Sequence, residues 1–391
     1  MPPRRTLSIA LIGTKFMGRA HSNAWRQAPR FFDLPADVRM ALICGRDPVA
    51  TRRAARTLGW ENASDNWHDA ISDPRIDIID ICTPNDSHAE IAIAAARAGK
   101  AILCEKPLAR NLREARQMVA AVKRAGVPNM LCHNYRRVPA IALAKEMIER
   151  GELGDRIYYF RARYAQDWIA DEKFPLVWRL KKKTSGSGAL GDIGAHIIDL
   201  ARDLVGEIGS VFAISETFVK RRPMPKRPRA LGKVDVDDAT SLIGRFRNGA
   251  LLNLEATRFA HGRKNHLTFE INGSRGSLVF DLEKMNRLGF YDATDPEQPR
   301  SRASHSEAAT ETRGFREIIV TEPSHPYVKH WWPPGHLLGY EHSFVHTIAD
   351  FIAAVVSGKR VRPDFADGLE TQRVLDAATR SASAHRVVKV R

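Results

Sequence analysis

Short, mostly apolar runs recur along the first third of the chain, at residues 7–12, 38–44, 78–82, 101–104 and 129–132. Runs of this length bounded by turn residues predict buried strands. Between them, residues 87–98 and 112–125 are rich in Ala, Arg and Glu at helical spacing, and Gly99 and Gly126 stand just past their ends as stops. Strand and helix in alternation predict a parallel sheet wound on both faces by crossover helices, over residues 1–133. After Tyr135 the rhythm changes. Residues 139–150 read as a helix, and in 157–168 Tyr158, Phe160, Ala162 and Tyr164 alternate with polar or charged neighbours, as in a sheet with one solvated face. Further strands are predicted at 211–219, 239–246, 250–256, 267–271 and 277–280, with Asn272 to Gly276 as a hairpin connection and helices near 340–356 and 367–384. The expected fold class is α/β, a doubly wound parallel sheet, followed over residues 134–391 by an α+β domain with a large, mostly antiparallel open sheet. No internal repeat is present.

Composition narrows the classes. A chain of 391 residues with 43% hydrophobic and 27% charged residues is a globular protein of two cores, and no apolar run reaches the length of a membrane span. The excess of 61 basic over 45 acidic residues gives +16, which suits a phosphorylated ligand; no recognition motif accompanies it, so neither nucleic acid nor membrane is an expected partner. The basic clusters at Lys181 to Lys183 and Lys220 to Arg229 read as solvated loops, the second because it holds three prolines and no aromatic residue to stack on a base. Cys44, Cys82, Cys104 and Cys132 lack metal-site spacing and each closes an apolar run, so they read as buried strand-end residues, with no metal site and a reducing cytoplasm as the expectation. The Arg4-Arg5 start has the look of an export signal, but its apolar run stops at Gly13 and reads as the first strand.

Four places carry chemistry. Gly13-Thr-Lys15-Phe16-Met17-Gly18 follows a strand and opens a helix, the context of a dinucleotide fingerprint, although Lys15 stands where its middle glycine belongs. The second strand ends in Gly45-Arg46 without the acid that selects NAD, which favours NADP; Asp47 before Pro48 reads as a helix cap. Glu105-Lys106-Pro107 puts a lysine at the carboxyl edge of the sheet, where ligands bind in such folds. In the glycine-rich run from Ser185 to Asp199, Asp192, His196 and Asp199 share one helical face, so His196 can take a proton while a carboxylate holds its ring.

In order along the chain, Gly13 to Gly18, Thr83-Pro84-Asn85 with His88, Glu105-Lys106-Pro107 and Gly191-Asp192-Ile-Gly194-Ala-His196 resemble the Gfo/Idh/MocA oxidoreductases. The stretches at Phe16 to Ser22, Asn134-Tyr135-Arg136-Arg137, Gln166-Asp167-Trp168 and Ser187 to Asp192 are most similar to the levoglucosan and inositol dehydrogenase branch of that family. The resemblance implies a Rossmann domain, an α/β domain whose open sheet makes dimer or tetramer contacts, and an NAD(P)-dependent dehydrogenase acting on a secondary hydroxyl of a pyranose-like sugar, anhydrosugar, glycoside or cyclitol. It implies Lys106, Asp192 and His196 as the catalytic set. Gly13, Lys15, Phe16, Met17, Gly18, Arg46, Thr83, Pro84, Asn85, His88, Glu105 and Lys106 would bind the cofactor, and Tyr135, Gln166, Trp168, Asp192 and His196 the sugar. By resemblance the cofactor is NAD. A glycosidase of the same fold that oxidises transiently and a non-enzymatic sugar sensor are the rivals; retention of all three catalytic residues speaks against the sensor.

Overall fold

A computed structural model describes residues 4–225, 227–295 and 314–391. Its first half runs β1 (Thr6–Ile12), α1 (Phe16–Phe31), β2 (Asp37–Cys44), α2 (Pro48–Leu58), β3 (Asn62–Ser64), α3 (His68–Ser72), β4 (Ile78–Ile81), α4 (His88–Arg97), β5 (Ala101–Glu105), α5 (Leu112–Ala125) and β6 (Asn129–Cys132). The strands are all parallel, in the order β3-β2-β1-β4-β5-β6. Strand order therefore reverses between β1 and β4, which opens a ligand crevice at their carboxyl ends. Local chemistry sets the helix limits: Asp47 accepts from the Val49 and Ala50 amides to start α2, Asn111 accepts from Glu114 to start α5, and left-handed Gly59 and Gly126 end them. The four cysteines are free and buried, and burial pushes the Cys44 thiol up to about 12.

The second half runs α6 (Pro139–Glu149), β7 (Ile157–Ala165), α7 (Lys182–Ser185), α8 (Ala195–Leu204), β8 (Ile208–Glu216), β9 (Arg221–Met224), β10 (Arg227–Lys233), β11 (Ala239–Phe246), β12 (Leu251–Thr257), β13 (His266–Gly273), β14 (Gly276–Asp281), β15 (Arg287–Asp292), β16 (Arg316–Ile319), α9 (His342–Ser357), α10 (Phe365–Ala384) and β17 (Val388–Lys389). Among the described residues, nine strands form one mixed sheet, β16-β15-β14-β13-β7-β12-β11-β8-β17, in which only β7 and β12 run parallel. Phe160, Ala162 and Tyr164 point into a core shared with α6, α8 and α10, while Arg161 and Arg163 on the other face pair with Glu270 and Glu255. Tyr158, at the strand's start, stays half exposed. α9 packs Phe344, Ile348 and Phe351 into the core of the first sheet, beside Leu7 and Trp25.

Two readings change. The basic, proline-rich stretch expected as a loop is the antiparallel ribbon β9–β10, because a two-stranded ribbon tolerates the missing proline amides. Its Arg222 is fully buried and donates to the carbonyls of Ile169 (2.6 Å) and Asp171 (2.7 Å), so it ties down the segment that carries Trp168. The Lys181–Lys183 run is likewise not all loop, since Lys182 and Lys183 open the one-turn α7. β7 ends at Ala165, which leaves Gln166 and Trp168 in the connection beyond it rather than in the strand.

Candidate active site

At the end of β1 the chain turns so tightly that no side chain fits. Gly13 has φ 120°, a Cβ there would lie 2.5 Å from the Cys82 carbonyl oxygen, and one on Gly18 would lie 1.9 Å from the Gly13 oxygen. α1 begins at Lys15 with no side-chain cap and no acid in its first turn. Its first amides are thus open to an anion, and the close turn beneath them suits the pyrophosphate of a dinucleotide. Lys15 and Phe16 are exposed there, and Met17 is half-buried. Arg46 is exposed at the end of β2, while Asp47 beside it is taken up by the α2 cap, whose amides hold its carboxyl below the usual range.

Thr83, Pro84 and Asn85 follow β4 at the same edge. Asn85 reaches across to the other half of the molecule, donating to the Ser185 carbonyl at 2.9 Å. His88 does not face the crevice: it is fully buried, and its two nitrogens lie 3.0 Å from the carbonyls of Pro107 and Thr83, so it braces the turns around it. Glu105 is buried too, with one oxygen on His21 and the other accepting from the Lys106 amide, and so it supports the site from behind. Both residues were expected to touch the cofactor.

The Lys106 ammonium projects from β5 to Asp192, donating to its carbonyl at 2.7 Å and lying 3.3 Å from its carboxylate. Asp192 sits on a π-helical turn, Leu190–Gly194, that leads into α8, and such turns are frequent at functional sites. Gly188 lets this turn approach, since a Cβ there would lie 1.7 Å from the Asp237 carbonyl oxygen. Asp237 accepts from the Gly188 and Leu190 amides at 2.7 Å each. Burial would raise the Asp192 carboxyl, but Lys106, then Arg179 and Arg258, outweigh it and hold it at about 2. Arg258 is fully buried with its Nη1 3.6 Å from Asp192, and Arg179 lies 3.9 Å away.

The π turn Leu190–Gly194 takes Asp192 out of the register of α8, where His196 and Asp199 still stand three apart. Asp199 pairs instead with Arg136 at 2.6 Å, and His133 lies 3.7 Å from it. Among the described residues the buried His196 Nδ1 has no hydrogen-bond partner, so no carboxylate there holds the ring. Packing does that work: the Tyr135 ring lies 4.5 Å away and the His133 ring 5.7 Å, edge to face. Burial, then the charges of Lys106 and His133, lowers the His196 pKa well below its usual value, which leaves a neutral imidazole at pH 7. Tyr135 bonds Tyr164 (2.8 Å), and Asn265 accepts from both Tyr164 (2.7 Å) and Gln166 (2.8 Å). Trp168 is half-buried, with Arg258 stacked over its ring at 5.5 Å. Lys106, Asp192, His196, Tyr135, Gln166 and Trp168 thus line one region. Asn265, Arg179 and Arg258 join them without a local pattern to announce them, although Arg258 is a lone cation at the end of an apolar strand, and that was a legible oddity.

Comparison with known proteins settles the family. Residues 7–133 match the oxidoreductase family with an NAD-binding Rossmann fold, and residues 141–279 match the GFO/IDH/MocA C-terminal domain. The chain belongs to the Gfo/Idh/MocA oxidoreductases. It is 44% identical over 401 residues to levoglucosan dehydrogenase from Pseudarthrobacter phenanthrenivorans, covering 99% of this chain and 98% of that one. A solved structure of levoglucosan dehydrogenase with NADH and levoglucosan superposes with a TM-score of 0.92 at 44% identity, over 99% of this chain and 100% of that one. An oxidoreductase domain protein from Kribbella flavida gives the same TM-score, 0.92, at 51% identity and the same coverage, 99% and 100%. Inositol 2-dehydrogenase from Rhizobium meliloti is 26% identical over 98% of this chain and 99% of its own. As a member of this family the chain is an NAD(P)-dependent oxidoreductase acting on CH–OH groups, among dehydrogenases of sugars and cyclitols. Among the described residues no helix is long and apolar enough to cross a membrane.

Proposed function

We propose that this protein oxidises a secondary hydroxyl of a pyranose-like anhydrosugar, levoglucosan or a close analogue, to the ketone. The observation that carries the reading is the Lys106–Asp192 contact, which brings the end of β5 to the turn preceding His196. The bound nicotinamide supplies the hydride acceptor. Neutral His196 takes the hydroxyl proton. Lys106, anchored on Asp192, offers its remaining N–H to the oxygen as negative charge develops there. Asp192, ionised and ringed by cations, accepts from a neighbouring sugar hydroxyl, and Trp168 offers an apolar face to the ring. Lys15 and the glycine turn hold the pyrophosphate. Arg46 presents a guanidinium to a 2′-phosphate, and the Asp47 carboxylate beside it is engaged by the α2 amides, so NADP is accepted beside the NAD of the similar proteins. Exposed Ile214, Ile243 and Leu251 on the large sheet form the face for a second copy.

The test is reduction of NAD and of NADP, followed by absorbance, against a panel of anhydrosugars, pyranoses, glycosides and cyclitols. Levoglucosan is expected to lead the panel. Release of an aglycone without net reduction would move the reading to the glycosidase, and no turnover on any member would overturn it.

A further inference from the structure

Behind Lys106 lies a charged group that the proposed chemistry does not use. His21, on the second turn of α1, is buried at 1% exposure between two carboxylates. Its Nδ1 is 2.9 Å from both oxygens of Asp80 in β4, and its Nε2 is 3.0 Å from Glu105 Oε1 at the end of β5. A neutral imidazole has one N–H, so it would turn a bare lone pair toward one of these carboxylates; an imidazolium satisfies both. The outer contacts are also in place. Trp25 donates to Asp80 at 2.7 Å, and the second oxygen of Glu105 accepts from the Lys106 amide at 3.2 Å. The remaining groups that face His21 are the Cys82 and Cys132 thiols, the Tyr340 phenol and the Phe344 ring at 5.4 Å.

We propose that His21 is a positively charged positioning residue, which locks Glu105 against Asp80 and through Glu105 sets the backbone from which Lys106 reaches the substrate. This rests on Lys106 acting at the substrate oxygen. The electrostatics agree: burial alone would lower the His21 pKa, but Asp80 first, among several neighbours, raises it well above the usual value. In turn the His21 hydrogen bond and charge, followed by the charge of Lys106, hold Glu105 below its usual value against the opposing effect of burial. His21 stands as a cation between the Asp80 and Glu105 carboxylates, while the Lys106 ammonium beyond them turns to Asp192. Such an arrangement is self-satisfied, and removing one member leaves an uncompensated buried charge.

The test begins with the intact protein labelled with 15N at histidine. The His21 signal, assigned by its loss in His21→Gln, should show both ring nitrogens still protonated at about pH 7.5, above the usual value of 6.5. A neutral ring at about pH 7.5 would overturn the proposal. So would a stoichiometric metal ion in the purified protein, since His21, Glu105 and Cys132 also lie close enough together to hold one. His21→Gln keeps a donor and an acceptor but drops the charge. It should lower kcat by about tenfold to a hundredfold with KM and the NAD dissociation constant within about twofold, and bring a new acid limb into the kcat profile. Adding Glu105→Gln removes the uncompensated charge and should recover part of kcat. Loss of kcat that follows loss of melting temperature, with an unchanged pH profile and no recovery, would make His21 merely structural and overturn the proposal. Failure of the Lys106 reading shows separately, as an active Lys106→Ala enzyme whose His21 signal is still that of an imidazolium.

Discussion

His196 and His21 are two histidines with nearly the same burial, 6% and 1% exposed, and opposite electrical surroundings. Around His196 stand aromatic rings, a second histidine and the Lys106 ammonium, and no carboxylate bonds its ring; around His21 stand two carboxylates at hydrogen-bond distance. Burial pushes both toward the neutral form, yet only His196 follows it. The partner, rather than the depth, decides which imidazole is free to accept a proton and which is already full. The same residue type is thereby held low at His196 and high at His21.

The largest break to this contrast comes at the base itself. His196→Asn should lower kcat for oxidation by about three to four orders of magnitude, as expected when a general base is removed. With His196 neutral well below 6.5, the wild-type rate should stay level through pH 6.5 and fall only at lower pH; a limb centred at 6.5 or above in a kcat/KM profile would assign the proton to another group. Next, Lys106→Ala should cost roughly two to four orders of magnitude in turnover while dinucleotide binding stays within about 1 kcal/mol, measured by titration of intrinsic fluorescence. Near-normal turnover would remove Lys106 from the reaction.

Stability sharpens the comparison from the other side. Burial, the largest influence, lowers the His133 pKa from 6.5 to about 4 despite Asp199 nearby. The unfolded chain therefore takes the proton first, so this contribution is complete above 6.5 and is lost as pH falls from there to about 4, by roughly 3 kcal/mol. His21 has the opposite sign: its stabilisation is complete below the unfolded pKa and is lost only as pH rises through its elevated folded value. Asp192, lowered from 3.8 to about 2, adds a separate loss below 3.8. Urea unfolding at a series of pH values checks all three, and replacing His133 with Gln should flatten the segment between 6.5 and 4. The smallest effect is at the cofactor edge. Arg46→Ala should weaken NADP by roughly tenfold and leave NAD unchanged, whereas Lys15→Ala should weaken both alike. Equal losses of the two cofactors from Arg46→Ala would make Arg46 a solvated surface residue.

Much of this was legible in the order of residues. The parallel sheet follows from its alternating pattern, the Asp47 cap from Asp before Pro, and the glycine turn from its place after the first strand. Lys106, Asp192 and His196 were marked by motif. The reading failed where a partner comes from far along the chain. Asp199 shares the helix with His196 but meets Arg136, 63 residues away, and His88 was assigned to the crevice because nothing local shows that Pro107 and Thr83 take both its nitrogens. The Lys220–Arg229 run was read as loop because its prolines and charges are surface signals, while Arg222 finds backbone carbonyls about fifty positions away.

The sequence by itself determined the alternation of strands and helices in the first half, the caps at Asp47 and Gly126 and the glycine turn after the first strand, because each depends on neighbours within a few positions, and it marked Lys106, Asp192 and His196 as candidates through resemblance to family motifs. Only the tertiary structure decided what those side chains are electrically. The His21 carboxylates are 59 and 84 residues away, and Lys106 reaches Asp192 across 86. Charge interactions and desolvation act through space, so whether a buried histidine is a base or a cation is settled by which strand ends the fold brings beside it.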